Sequence, residues 1–428
     1  MFVAAAIFIR PPWMPETPVW QEIDLYGKIM VDTKDEAEVN HLRNIPEQDK
    51  PLSGGRAASI ITTFMLFLCI IAVAIYSYYR STGMTAGLPD IFRPQAGSAE
   101  EVKEAEVQHT FGFDMRDKPV FTIFRGNIVK CSRSGILFLD STGQIVRSES
   151  IEFDKPIVKT NGSRILVADS GSTGIYVMDG NTVIWQDRTD AAILNADISD
   201  DGYVTVITSA KRDNNTVRVY ESHGLELFRK IIANDYAVSA CVSPSRQYLV
   251  LSAIGTGAVG PFSRYKFYDM EGKELSGLSF GESGELLPLF WFNKNDSIFA
   301  VGDNAVASIE PSGKTEWREQ FRSIAGAGLA GEGLLAVAAE TDEGALLNVY
   351  MADGARKASV KLNGRPAGLD SIKGIISVYT DDAVYFFDVN GTIISKYITG
   401  EKVLQVCLFD KKQAAVITEG EVTVVGIN

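Results

Sequence analysis

The sequence predicts an all-β fold, an eight-bladed β-propeller preceded by one transmembrane helix. Three observations predict it: seven look-alike two-strand units at near-regular spacing, leftover strands at both ends of that array, and one long uncharged apolar stretch near the N-terminus. The units cover residues 137–146, 175–184, 217–227, 265–275, 306–316, 347–357 and 384–394. Each alternates apolar and polar residues, turns at an acidic or polar segment ending near glycine, and starts a second strand. The turn glycines are Gly143, Gly180, Gly224, Gly272, Gly313, Gly354 and Gly391, in steps of 37, 44, 48, 41, 41 and 37 residues. An all-strand period of roughly 40–50 residues marks a propeller, because one such unit cannot bury both of its apolar faces until neighbours stack on it.

The chain divides in order. Residues 1–56 read as a cytoplasmic tail without a core. Its first nine residues, MFVAAAIFI, are apolar but too short to cross a bilayer. Prolines 11, 12, 15 and 18 with Trp13 and Trp20 follow, as a polyproline docking segment or as plain tail, and both Met1 and Met30 stay open as the initiator. Residues 57–79, from Ala57 to Tyr79, are uncharged and 23 long, enough to span a membrane as a helix. Arg56 and Arg80 bracket the span, and Tyr76, Tyr78 and Tyr79 form an interfacial aromatic end. Arg43, Lys50 and Arg56 on one flank against Arg80 and Arg93 on the other favour a cytoplasmic N-terminus and a propeller outside the membrane. No small-residue cleavage site follows, so the span reads as an uncleaved signal-anchor. Residues 80–106 form a linker ending in Glu100, Glu101, Lys103, Glu104 and Glu106, which lifts the propeller off the membrane.

Residues 107–428 are the propeller. The seven units are outer strand pairs, each preceded by an inner pair; the first inner strand is 120–124. In the run 203–208 both alternating sets are largely apolar, as expected for a sheet sandwiched between two others. After the seventh unit, 403–428 holds three more strands, VLQVCLF, QAAVITE and EVTVVGI, and 109–115 (HTFGFDM) stands alone at the other end. Pairing that strand with the C-terminal three closes an eighth blade and removes two exposed sheet edges. Eight blades average about 40 residues each. Seven, the alternative, would leave the C-terminal strands unplaced.

The turn chemistry resembles that of degenerate WD40/quinoprotein-like repeats of eight-bladed propellers. Glu310-Pro-Ser-Gly313-Lys-Thr-Glu-Trp317 is the nearest match, Asp179-Gly180 with Trp185 a looser one, and Phe228, Ser276, Ala358 and Ser395 stand at the matching place elsewhere. The resemblance implies that this position packs between blades. The layout of tail, span and exported propeller is similar to an uncharacterised family of membrane-anchored bacterial β-propellers of Gram-positive type. It implies no functional residues.

Residues able to do chemistry are sparse. The net charge of −13 and pI near 4.9 argue against nucleic acid, whose affinity depends on neutralised phosphates. His41, His109 and His223 are scattered and cannot form a zinc site or a triad. Cys69 lies in the span, and Cys131, Cys241 and Cys407 in separate strand-like runs, which suits buried free thiols. Gly255-Thr-Gly257-Ala-Val-Gly260 matches GxGxxG but runs into another strand instead of opening a helix. Asp197, Ser199, Asp200 and Asp201 before Gly202 read as a hairpin turn, without the ligand alternation of a calcium loop. Asn161, Asn295 and Asn390 read as turn residues in preference to glycosylation acceptors. No cofactor, metal ligand or catalytic residue is assigned. The alternative to a binding module is a glycan- or quinone-linked propeller enzyme with a site in the channel, where Asp197 is the clearest inner-strand acid.

The long loops fall on one face of the propeller, over blades two to five, and binding concentrates on long loops carried by a rigid scaffold. Arg212, Asn214, Tyr236, Phe262 and Arg264 are the expected partner-binding residues, since arginine and aromatic side chains dominate interfaces. The expected function is therefore a non-catalytic interaction, assembly or sensing module for protein partners in the cell envelope.

Overall fold

Eight antiparallel sheets of four strands each make up the described residues, which in this computed structural model are 102–427 apart from 211–213 and 282. The proposed tail, the span 57–79 and most of the linker lie outside them. Among the described residues no helix is long and apolar enough to cross a membrane.

The strands follow chain order, innermost to outermost. Blade 1 is β2 (Val120–Phe124), β3 (Asn127–Ser132), β4 (Gly135–Leu139) and β5 (Ile145–Glu149). Blade 2 is β6 (Pro156–Thr160), β7 (Ile165–Asp169), β8 (Gly174–Met178) and β9 (Val183–Arg188). Blade 3 is β10 (Ile193–Ile198), β11 (Val204–Ser209), β12 (Asn215–Tyr220) and β13 (Glu226–Ile232). Blade 4 is β14 (Tyr236–Val242), β15 (Leu249–Thr256), β16 (Pro261–Tyr268) and β17 (Glu274–Ser279). Blade 5 is β18 (Leu289–Phe292), β19 (Ile298–Val301), β20 (Ala305–Ile309) and β21 (Thr315–Gln320). Blade 6 is β22 (Ser323–Gly331), β23 (Leu334–Thr341), β24 (Gly344–Met351) and β25 (Arg356–Lys361). Blade 7 is β26 (Gly368–Ile372), β27 (Ile375–Tyr379), β28 (Ala383–Asp388) and β29 (Ile393–Ile398). Blade 8 is β30 (Gln405–Leu408), β31 (Gln413–Ile417), β32 (Glu421–Gly426) and, from the other end of the chain, β1 (Glu106–Gly112).

Apolar alternation on both faces is what turns eight sheets into a ring. In β11, Val204 and Val206 pack with blade 2, while Ile207 packs with blade 4. Eight such clusters lie between neighbours, and one of them joins Ile417, Val422 and Val424 of blade 8 to Phe121, Ile123 and Ile128 of blade 1. Each fully buried aliphatic side chain contributes about 1.5–3 kcal/mol, so no sheet is stable without both neighbours.

The turn glycines have a second task. All seven have φ between 81° and 96°, which their tight turns require. Each also lies against the blade before it. A Cβ at Gly224 would fall 2.8 Å from Trp185, one at Gly354 2.5 Å from Trp317, and one at Gly272 3.0 Å from Phe228. Trp317 stacks on Tyr350 of blade 6 at 5.5 Å, and its Nε1–H donates to the Ala352 carbonyl at 2.8 Å. Ser276 does the same task with a hydroxyl, donating to the Pro311 carbonyl of blade 5. For Trp185 of blade 2 the corresponding carbonyl, Ser222 of blade 3, accepts from Arg164, and Trp185 Nε1 is left buried without a partner. The varied residues of the repeat thus serve one purpose: closing a blade onto the next turn.

The closing strand is Glu106–Gly112, beginning three residues before the 109–115 suggested by alternation. An outermost strand is held by its backbone ladder, and six of the seven β1 residues are exposed, so apolar alternation is a poor guide there. Asp114 instead caps a short 3-10 turn, Met115–Asp117. Lys103 and Ala105, just before this strand, bond to Lys396 of β29.

Candidate functional site

One ladder row of the inner strands holds half-buried and buried ionisable side chains from five blades. It carries Lys159, Asp197 and Cys241 in blades 2, 3 and 4, and Asp370 and Cys407 in blades 7 and 8. Asp370 is buried and accepts from two backbone amides, Ser371 N at 2.9 Å and Leu408 N at 2.8 Å. The second bond crosses into blade 8. Burial pushes its carboxyl up to about 7, against the pull of those two bonds. Asp197 accepts from Ile198 N at 2.8 Å. Burial raises its carboxyl too, and the Lys159 ammonium partly offsets this. Asp200, in the following turn, is pushed up to about 6 by burial, with the Asp201 and Asp197 charges adding. All three described cysteines are free, and burial raises their thiols, Cys131 to about 12. Such thiols are poor nucleophiles.

Asp197 and Asp370 sit in blades 3 and 7, on opposite sides of the ring. They do not form a facing acid–base pair: Asp370 is turned into the seam between blades 7 and 8, and Asp197 bonds within its own strand. Among the described residues no three of His, Cys, Asp and Glu gather closely enough to hold a metal. The turn readings of Asn161 and of 199–202 match the geometry. Asn161 donates to the Ser199 and Asp200 carbonyls at 2.7 and 3.1 Å, joining blade 2 to blade 3.

The end of the ring carrying the outer-to-inner connections holds a continuous surface over blades 3 to 5. Its centre is the short loop before β14. Asp235 is 3% exposed and receives both short bonds from Arg264 Nη1, at 2.6 and 2.7 Å. Two residues on, Ala237 N donates to the Asn215 side chain at 2.8 Å. The loop is therefore pinned by β16 on one side and β12 on the other. Tyr236 projects between these pins, 39% exposed.

The expected partner residues divide accordingly. Tyr236 and Arg264 come together here, with the Arg264 guanidinium 5.2 Å above the Phe262 ring and 32% exposed. Asn214 closes the neighbouring hairpin through its carbonyl, which accepts from Ala210 N at 2.9 Å. Arg212 lies outside the described residues. Phe262 is buried under the hairpin, with its ring against Gly255, Gly257 and Gly281. A Cβ at Gly255 would sit 2.8 Å from that ring, so the GxGxxG glycines make room for an aromatic side chain. Strands β15 and β16 run through much of 255–264, leaving only 257–260 as loop. Val259 at its tip is 70% exposed and meets Gly284 of the next loop.

Beyond Val259 the surface dips into a shallow depression of about 320 Å³ lined by Ser283, Glu285, Asp303, Asn304, Arg318 and Gln320. Arg318 and Glu285 form an ion pair across it. Sequence reasoning missed Asp235 and Asn215, the two buried side chains that fix this surface. An acid in a short connection (ANDYA) is also an ordinary solvated turn residue, so their partners are visible only in three dimensions.

Comparison with known proteins agrees with the fold. Residues 98–427 match the family of unknown function DUF5711. The chain belongs to this family. The DUF5711 region coincides with the closed ring and begins just before the Lys103–Lys396 contact. No curated protein matches the chain. Among solved structures, Saccharomyces cerevisiae Sqt1 is 12% identical with a TM-score of 0.56, covering 76% of this chain and 99% of its own. Sqt1 from Chaetomium thermophilum is 9% identical with a TM-score of 0.51, covering 76% and 97%. BamB from Moraxella catarrhalis is 16% identical with a TM-score of 0.49, covering 75% and 99%. Likeness at these identities concerns the fold of this DUF5711 member.

Proposed function

We propose that this DUF5711 protein is a membrane-tethered, extracytoplasmic propeller that binds protein partners of the cell envelope as a non-catalytic assembly or sensing module. The observation that carries the reading is the pinned surface over blades 3 to 5. Exposed Tyr236 and Val259, with half-buried Arg264 between them, stand on a loop and hairpins held rigid by the buried Asp235 and Asn215. Aromatic and arginine side chains on a rigid base lose little entropy on binding, which is what an interface anchor needs. The point at which the chain enters the ring supports the same reading. Glu106 lies opposite Gly426, at the end of β32 remote from the turn that precedes it. The chain thus enters at the end of the ring opposite the long loops, and a tether there leaves the surface facing away from the membrane.

Affinity capture of the tagged full-length protein from solubilised membranes tests this. Tyr236→Ala combined with Val259→Ser is expected to reduce captured partner at least tenfold while leaving thermal unfolding nearly unchanged, because both side chains are exposed. Undiminished capture by the double variant would overturn the surface assignment. Protease accessibility of the propeller on intact cells tests the topology separately, and protection until lysis would overturn it.

A further inference from the structure

We propose that residues 103–112 act as a clasp that opens and closes as one unit, so that any pull on the chain preceding it acts first on ring closure. The segment touches three blades in succession. Ala105 N donates to the Lys396 carbonyl at 2.7 Å and Lys396 N to the Lys103 carbonyl at 2.9 Å, a parallel pairing with the outer strand of blade 7. The Ala105 side chain is 7% exposed and sits in the core between blades 7 and 8. Strand β1 then completes blade 8 against β32. At its far end Phe111 lies over Gly143 of blade 1. Phe113 packs edge-on against Phe121 at 4.9 Å and donates its N–H to the Gly420 carbonyl at 2.9 Å.

The anchors are therefore at the two ends, and the middle has no buried side chain. A register shift between Val107 and His109 interrupts the ladder between them. Every other outer strand is joined to its neighbour by a tight turn that keeps the two together when bonds break. β1 has no such turn, because its partner lies more than 300 residues away in sequence. Once an anchor leaves, the exposed middle holds only edge hydrogen bonds and nothing returns it quickly. Opening bares the edge of β32, EVTVVG, an apolar strand with free backbone groups.

Hydrogen exchange on the full-length protein in detergent reads this directly. The Ala105 amide and the β1 amides bonded to β32 are expected to share one protection factor, ~100-fold below that of β11 and β15. The Lys396 amide is the diagnostic one: it belongs to blade 7 but bonds to the clasp, and it should exchange with β1. Thr110 and Thr423 face each other across the ladder with hydroxyl oxygens 3.4 Å apart. A Thr110→Cys/Thr423→Cys disulfide should slow β1, Ala105 and Lys396 together by at least tenfold, reversibly on reduction. The proposal is overturned if the wild-type clasp exchanges no faster than β11. It is equally overturned if Ala105, Lys396 and β1 exchange at unrelated rates, or if the disulfide slows β1 and leaves Lys396 unchanged. Should the double-cysteine variant not fold, the wild-type rates decide alone.

Discussion

Trp317→Ala is expected to destabilise the propeller by about 3 kcal/mol, and Gly354→Ala by a similar amount. The tryptophan stacks on Tyr350 at an interplanar angle of 25° and donates to the Ala352 carbonyl, so its loss opens a space between blades 5 and 6. The glycine is constrained twice. Its φ of 83° costs any L-residue about 1–2 kcal/mol, and its added Cβ would lie 2.5 Å from Trp317 Cγ. In a Trp317→Ala background the steric part disappears, and Gly354→Ala should then cost only the backbone part. Urea unfolding of the four proteins measures this as a coupling of about 1–3 kcal/mol. Trp185→Ala should cost less than Trp317→Ala, because Arg164 occupies the carbonyl that Trp185 would use and the indole N–H is already unpaired. Additive effects at Trp317 and Gly354 would show that the aromatic position does not fasten one blade to the next.

Stability should fall as pH rises from about 4 to about 7, through the Asp370 carboxyl. Its ordinary value is 3.8 and in the ring it is about 7. Between these the native state holds a proton that the unfolded chain has released, so raising the pH favours unfolding. The stabilisation is complete below the unfolded value and is lost once pH passes the folded one. Its upper limit is roughly 4 kcal/mol. Asp370→Asn should reduce that slope, leaving the share of the raised Asp197 and Asp200 carboxyls, at a cost. Both carboxyl oxygens accept from backbone amides, and an amide NH₂ facing either Ser371 N or Leu408 N leaves a buried donor unpaired, at about 1–3 kcal/mol. Urea midpoints of both proteins from pH 4 to 8 check the prediction. A wild-type profile with the same slope as the variant would remove Asp370 as its source.

Particular residues show how far the chain could be read before folding. The seven outer turns were legible because each glycine sits in an acid-rich turn at a regular interval. The strand count followed from alternation on both faces, since a sheet packed on two sides must be apolar on both. The closing strand was displaced by three residues because exposed outer strands carry no such alternation. Phe262 reads as an interface anchor in a glycine-rich hairpin, but the missing Cβ atoms of Gly255 and Gly257 are what let its ring turn inward. Asp235 and Arg264 lie 29 residues apart and look unrelated until two strands of blade 4 bring them together.

By itself, then, the sequence determined the architecture: repeating two-faced strands, each unable to bury its own apolar surface, leave a closed ring of eight as the arrangement that hides them all. Tertiary structure alone decided which side chains are buried within the ring and which are presented at its loop end. That choice depends on backbone and side-chain partners brought together across blades, and periodicity along one chain carries no record of a neighbour in the next sheet.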